Sequence, residues 1–188
     1  MKIWIKHPLA ILAEDPASAA GGLVVSDGRI IELLPQGREP AKPVDQIVDA
    51  SRHVVLPGLV NTHHHFYQTL TRALPVAINK ALFPWLKSLY PVWAGLDERA
   101  IRTSSRLAAA ELLLSGCTTA ADHHYIFPEA VPEALDVQAE ALADMHVRAV
   151  LTRGSMSLGE DQGGLPPRNT VQTEETILRD CERVAERW

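Results

Sequence analysis

"VVLPGLVNTHHHFYQT", Val54 to Thr69, sets three consecutive histidines directly after an apolar run entered through Pro57 and Gly58. In an extended strand, side chains alternate between faces, so His63 and His65 point one way and His64 the other. Two imidazoles two residues apart, roughly 6.6–7 Å along a strand, can converge on one cation with Zn–N distances of about 2.0–2.1 Å. His-x-His alone is also compatible with hydrogen-bonded loop histidines. Its position favours the metal, because the pair lies at the carboxyl end of a strand, where α/β barrels and open sheets place their active sites. A catalytic zinc site needs at least one more protein ligand and an open position for water, which other segments must supply.

Upstream, the texture is that of short strands. "KIWIKHPLAIL" alternates at its start, "GGLVVSDGRIIELL" reads as two strands about an Asp27-Gly28 hairpin turn, and "DQIVDASRHVVLPG" supplies two more. Pro35 to Pro43 is a polar, proline-bearing connection, and the whole segment predicts a small antiparallel sheet. Downstream, strand and helix alternate. After a proline-rich aromatic loop, "LPVAINKALFPWLKSLYPVW", a helix is predicted with Asp97 as N-cap and Gly116 as its stop. "CTTAADHH" reads as a buried strand, "PEAVPEALDVQAEALADM" as a helix, "VRAVLTRGSM" as a strand, and "TVQTEETILRDCERVAERW" as a helix starting near Thr170 or Thr173. Three strand-helix units in series predict a parallel α/β fold. A full (β/α)8 barrel takes about 250 residues, whereas 132 run from Pro57 to Trp188, where the helical pattern is still running. The expectation is the first part of a barrel, incomplete in this chain.

The bulk numbers limit the function classes. With 46% hydrophobic and 22% charged residues, the 188-residue chain has the composition of a globular protein. A formal net charge of −5 and no lysine-arginine cluster make no electrostatic case for nucleic-acid or membrane binding. His7-Pro8 interrupts what a signal peptide would need as a continuous apolar region, and no run approaches the roughly 20 apolar residues of a membrane span. Cys117 and Cys181 lie far apart without paired spacing, which argues against a zinc knuckle or a disulfide framework. A cytoplasmic location is expected.

"VVLPGLVNTHHHFYQTLTR" resembles the first barrel strand of the amidohydrolase superfamily, whose pattern is Pro-Gly-x-x-(Asp/Asn)-x-His-x-His. "GGLVVSDGRIIEL" with "DASRHVVLPG" resembles the N-terminal half of that superfamily's β-sandwich, and "GCTTAADHHY" its second barrel strand. Residues 1–56 are therefore expected to form the N-terminal part of a composite β-sandwich, and residues 57–188 the first part of a metal-dependent hydrolase barrel of TIM type. "HFYQTLTRALP…FPWLKSLYPVW" resembles the aminohydrolase branch holding guanine, S-adenosylhomocysteine and triazine deaminases. "LTRGSMSLGEDQGGLPP" and "SGCTTAADHHY" are similar to 8-oxoguanine deaminases.

The resemblance implies that His63 and His65 are the first two ligands of one divalent metal, zinc or alternatively Fe2+. In the family, the remaining ligands and the proton-transfer residues come from later strands, so no catalytic acid or base is expected before Trp188. Gln68 matches a position that contacts purine in guanine deaminases; a solvent-facing loop glutamine is its alternative. Trp93 falls where nucleoside-type relatives bind ribose with a glutamate. There it implies a flat wall for a free base, with core packing as the competing role. Arg153 matches a substrate-contacting arginine, with a loop-shaping salt bridge as the alternative. His64, His123 and His124 are not expected to be ligands.

The implied reaction is hydrolytic removal of an exocyclic amino group from an oxopurine such as 8-oxoguanine, giving urate and ammonia. The rival substrates are guanine, pterins and triazines. The implied partner is a small amino-heterocycle, not nucleic acid or membrane, and the full-length enzyme is expected to be a homo-oligomer. An inactive truncated fragment is the contrasting reading. No Cys-x-x-Cys is present, which sets aside the cytidine-type zinc deaminases.

Overall fold

The computed structural model describes residues 1–12 and 14–188, which divide into two compact units, residues 1–57 and 58–188. In the first unit, β1 (Lys2–Lys6), β3 (Gly22–Ser26), β4 (Arg29–Leu34) and β5 (Gln46–Asp49) form one sheet in the order β4-β3-β1-β5; β2 (Ala10–Ile11) and β6 (Val54–Val55) form a separate pair. Asp27 and Gly28 both have positive φ, 49° and 73°, as a tight two-residue turn between right-twisted strands requires, and β3 and β4 pair antiparallel across it. The expected antiparallel sheet is corrected in one respect: β1 pairs with β5 in parallel, and so does β2 with β6. The connection through Pro35–Pro43 carries the chain from β4 at one edge of the sheet to β5 at the other, beside β1. Trp4, Val24 and Leu34 pack together as the core of this sheet.

In the second unit, β7 (Leu59–His64), β8 (Cys117–His124) and β9 (Arg148–Arg153) lie parallel and in chain order. Helix α2 (Glu98–Leu114) leads into β8, α3 (Ala134–Asp144) into β9, and α4 (Glu174–Arg187) follows. The Asp97 carboxylate accepts the Ala100 N–H at 2.7 Å, capping α2, and Gly116 ends the helix with φ 85°. Thr173 caps α4 by accepting the Thr176 N–H. Small side chains on α2, Ala108 and Ala109, let it approach the sheet closely, where they pack with Phe66, Ala120 and Leu142.

The segment expected as an aromatic loop is instead helix α1 (Leu82–Trp93). Pro84 lies in its first turn, where no intrahelical N–H bond is lost, and Pro91 lies close to its end, so neither proline breaks it. Leu82, Leu86, Leu89 and Trp93 recur at helical spacing. The turns around Leu89, Tyr90 and Trp93 bury against Tyr67, Ile101, Ile126 and Leu135.

Two polar residues at the carboxyl end of β8 are fully buried. Asp122 Oδ1 accepts the Phe66 N–H at 2.6 Å and Oδ2 accepts the Gln138 amide at 2.8 Å, tying β8 to the turn after β7 and to α3. Burial outweighs both bonds and lifts the carboxyl to about 7. His124 packs edge-on against Tyr67 and Phe127, and neither ring nitrogen has a partner among the described residues. Burial pushes it down to about 4, against a smaller opposing influence from the Ile126 backbone, which does not reach hydrogen-bond geometry. No helix among the described residues is long and apolar enough to cross a membrane.

Replacing Asp122 with Ala strands a buried N–H and a buried amide, and the expected loss in urea unfolding is about 2–4 kcal/mol. Asp122→Asn loses less, because the free Gln138 Oε1 can turn to accept the new amide. A second prediction concerns pH. His124 is neutral in the fold, and its unfolded counterpart takes up a proton below the ordinary value of 6.5, so its contribution to stability declines as pH falls from about 6.5 to about 4. Asp122, raised, acts with the opposite sign over nearly the same window. Comparing wild type with His124→Phe isolates the first effect, and the variant's melting temperature should gain on wild type steadily as pH is lowered.

Candidate metal centre

The ladder between β7 and β8 is irregular where the histidines begin, with its register shifting between Asn61 and His64. The Asn61 side chain accepts the His63 N–H at 3.1 Å, occupying a donor that the broken ladder leaves free. Such irregularities re-aim side chains at sheet ends. His64 closes the strand, and His65 begins a 3-10 helix over Phe66–Thr71.

The His63 and His65 rings stand edge to face with centroids 4.9 Å apart. His65 Nδ1 donates to the His123 carbonyl at 2.8 Å, which fixes the tautomer and leaves Nε2 with a free lone pair. Burial also holds His65 below its ordinary value, favouring the neutral ring that a cation needs. His64 turns to pack on Phe66, with centroids 4.7 Å apart, while still bordering the same cavity. His123 brings its ring within 4.7 Å of His63, but no group of three or more His, Cys, Asp or Glu among the described residues could hold a metal. The pair thus fits half of a metal site: two imidazoles, one with its tautomer set, and the remaining ligands to come from elsewhere.

A cavity of about 370 Å³ opens beside these rings, lined by His63, His65, Gln68, Arg72, Leu74 and Trp85, among others. Gln68 lies one 3-10 turn after His65, its N–H bonded to the His65 carbonyl at 3.0 Å, so both face the same side. Arg72 forms an ion pair with Glu111 at the rim.

Two expected substrate contacts are corrected. Trp93 is 0% exposed and packs edge to face with Tyr67, Trp85 and Tyr90, its indole N–H donating to Thr71 Oγ1 at 3.1 Å. It is a core residue that supports Tyr67, and the tryptophan lining the cavity is Trp85. The helical spacing of Trp85 and Trp93 was the available signal, since it puts both on one side of α1 with Trp85 nearer the helix start. Arg153 spends its guanidinium within the fold. It bonds Asp180 at 2.8 Å, Gln172 at 2.6 Å and the Gly154 carbonyl at 2.8 Å, with 4% of its side chain exposed, and it lies over the Phe127 ring. Salt-bridge anchoring of α4 is therefore its role here. Arg153→Met leaves Asp180 with Arg183 as its remaining partner, and should lower unfolding free energy by roughly 1–3 kcal/mol in a denaturant titration.

Residues 54–188 match the amidohydrolase family. The chain is 62% identical over 187 residues to an 8-oxoguanine deaminase of Pseudomonas aeruginosa, covering all of this chain and 42% of that protein. It is 33% identical over 179 residues to an isoxanthopterin deaminase from an unknown prokaryotic organism, covering 94% of this chain and 37% of that protein. Atrazine chlorohydrolase from Arthrobacter aurescens TC1, solved with zinc, superposes with a TM-score of 0.83 at 26% identity over 98% of this chain and 42% of its own. The chain spans about two-fifths of the length of the relatives it matches. Parallel strand-helix units carrying a histidine pair at the end of their first strand are in keeping with this likeness, and the chain belongs to the amidohydrolase family.

Proposed function

We propose that the protein containing this chain is a zinc-dependent aminohydrolase that converts 8-oxoguanine to urate and ammonia. The observation that carries this reading is the 62% identity along the whole chain to a protein of that name, against 33% to the isoxanthopterin deaminase. His63 and His65 are read as two of the metal's ligands, through the free Nε2 of His65 and the ring of His63 beside it. A metal held there would supply a hydroxide nucleophile near neutral pH by acidifying water.

The chain's own residues hold and orient. The His123 carbonyl keeps His65 in the binding tautomer, Asn61 sets the backbone of His63, and Gln68 offers a primary amide to a heterocycle lying in the cavity. Residues 1–57 and 58–188 are read as the N-terminal part of a β-sandwich and the first part of the barrel. The full-length enzyme is read as a homo-oligomer.

The test uses the full-length protein. Zinc content after dialysis should be near one per chain and fall at least tenfold in His63→Ala and His65→Ala. Ammonia should be released from 8-oxoguanine faster than from guanine or isoxanthopterin. Release from isoxanthopterin but not from 8-oxoguanine would replace the substrate, and full zinc retention in both variants would remove the pair from the metal.

A further inference from the structure

The two imidazoles read as metal ligands are held in different ways. His65 has a directed bond, its Nδ1 donating to the His123 carbonyl at 2.8 Å. In His63 the bonded group is the backbone N–H, which the Asn61 side chain accepts at 3.1 Å. Among the described residues, the His63 ring meets other rings in place of a hydrogen-bond partner. That ring is exposed near the end of β7, where no packed wall confines it.

Two rings bracket it. His65 stands perpendicular to His63 with centroids 4.9 Å apart, and His123 lies over it at 4.7 Å with the planes only 35° apart. Aromatic rings at such separations attract one another when tilted or offset. His123 is also 5.9 Å from His65, ring to ring. Residue 123 therefore touches both imidazoles, one through its main chain and the other through its side chain. Its own place is set one residue earlier, where Asp122 bonds the Phe66 N–H and the Gln138 amide and so fixes the end of β8.

We propose that His123 is a positioning residue of the metal centre, whose ring, stacked on His63, holds that imidazole in its binding orientation while its main-chain carbonyl holds His65. This inference rests on the reading of His63 and His65 as metal ligands. An imidazole on an exposed strand end turns about two side-chain bonds, and a cation that binds it must freeze both. A stack already formed in the metal-free protein removes part of that cost. His123 serves here by its flat ring and not by a nitrogen, in keeping with the absence, among the described residues, of a group of three side chains able to hold a metal.

The experiment measures the zinc dissociation constant of the full-length protein by competition with a chromophoric chelator at fixed pH, in wild type, His123→Ala and His123→Phe. Loss of the ring in His123→Ala should weaken zinc binding about fivefold. That is less than the roughly ten- to hundredfold that follows loss of an outer hydrogen bond to a ligand, because the carbonyl that holds His65 belongs to the main chain and is kept. His123→Phe retains a flat ring without nitrogens and should stay within about twofold of wild type. Equal weakening in both variants means that a nitrogen is needed, and it overturns the proposal. Wild-type affinity in His123→Ala overturns it too. A merely structural ring would lower the unfolding midpoint of the metal-free protein in His123→Ala and leave the zinc affinity of the folded protein alone, and that pattern also counts against it. If wild type retains no zinc, the ligand reading fails by itself. The stack is then tested in the metal-free protein through the ring proton resonances of His63, identified by their loss in His63→Ala. They should move in His123→Ala, and unchanged resonances overturn the stack.

Discussion

The carboxylate of Asp122 holds the second unit together at the point where its chemistry is placed. It is fully buried, with one oxygen on the Phe66 N–H and the other on the Gln138 amide. Through it the end of β8, the first residue after His65 and the middle of α3 share one set of hydrogen bonds. A buried carboxyl without such partners would cost several kcal/mol. With them, it allows a single relative placement of the two strand ends, because each oxygen is satisfied only there. His65 precedes one of these anchors and His123 follows the other, so the bond from His65 to the His123 carbonyl is drawn between two points already fixed.

The site is layered outward from that anchor. Trp93 supports Tyr67, Tyr67 and Tyr125 hold Gln68, and Tyr125 also stands against His65. Polar groups that face the cavity are backed by groups that do not. Arg153 belongs to another layer, binding Asp180 midway along the last helix and Gln172 just before it, and so joining the end of β9 to that helix. Its planar fork serves the scaffold with three directed bonds, as suits a guanidinium that is nearly excluded from water.

Much of this was legible along the chain, and the reasons are local. Asp27-Gly28 specifies its turn because few other residue pairs adopt two positive φ values. Asp97, Thr173 and Gly116 mark helix ends through bonds and angles made within a few residues. The histidine pair is visible because its spacing matches a strand's two-residue period, although the strand ends at His64 and all three histidines border the cavity. The aromatic segment at residues 82–93 was misread because two prolines resemble loop punctuation, although Pro84 falls in the first turn and Pro91 costs the helix a bond only near its end. The parallel pairing of β1 with β5 was hidden for a different reason: strand direction depends on where a long connection returns, which no short pattern records.

The sequence by itself determined the family and the alternation of strand and helix from Leu59 onward, and it set two imidazoles two residues apart, because each is written in residue type and spacing. Tertiary structure decided which of several plausible polar and aromatic residues reach the cavity. Trp93 and Trp85 differ little as sequence, yet one is enclosed by Tyr67 and Tyr90 and the other lines the opening. Arg153 and Gln68 were both candidates for substrate, and distant partners separated them. Asp180 and Gln172 take the arginine into the scaffold, while Tyr125, 57 positions away, bonds the glutamine's amide and leaves the side chain at the cavity wall. What a side chain can offer a ligand depends on which of its valences the fold has already used, and those partners are assembled only when remote strands and helices meet.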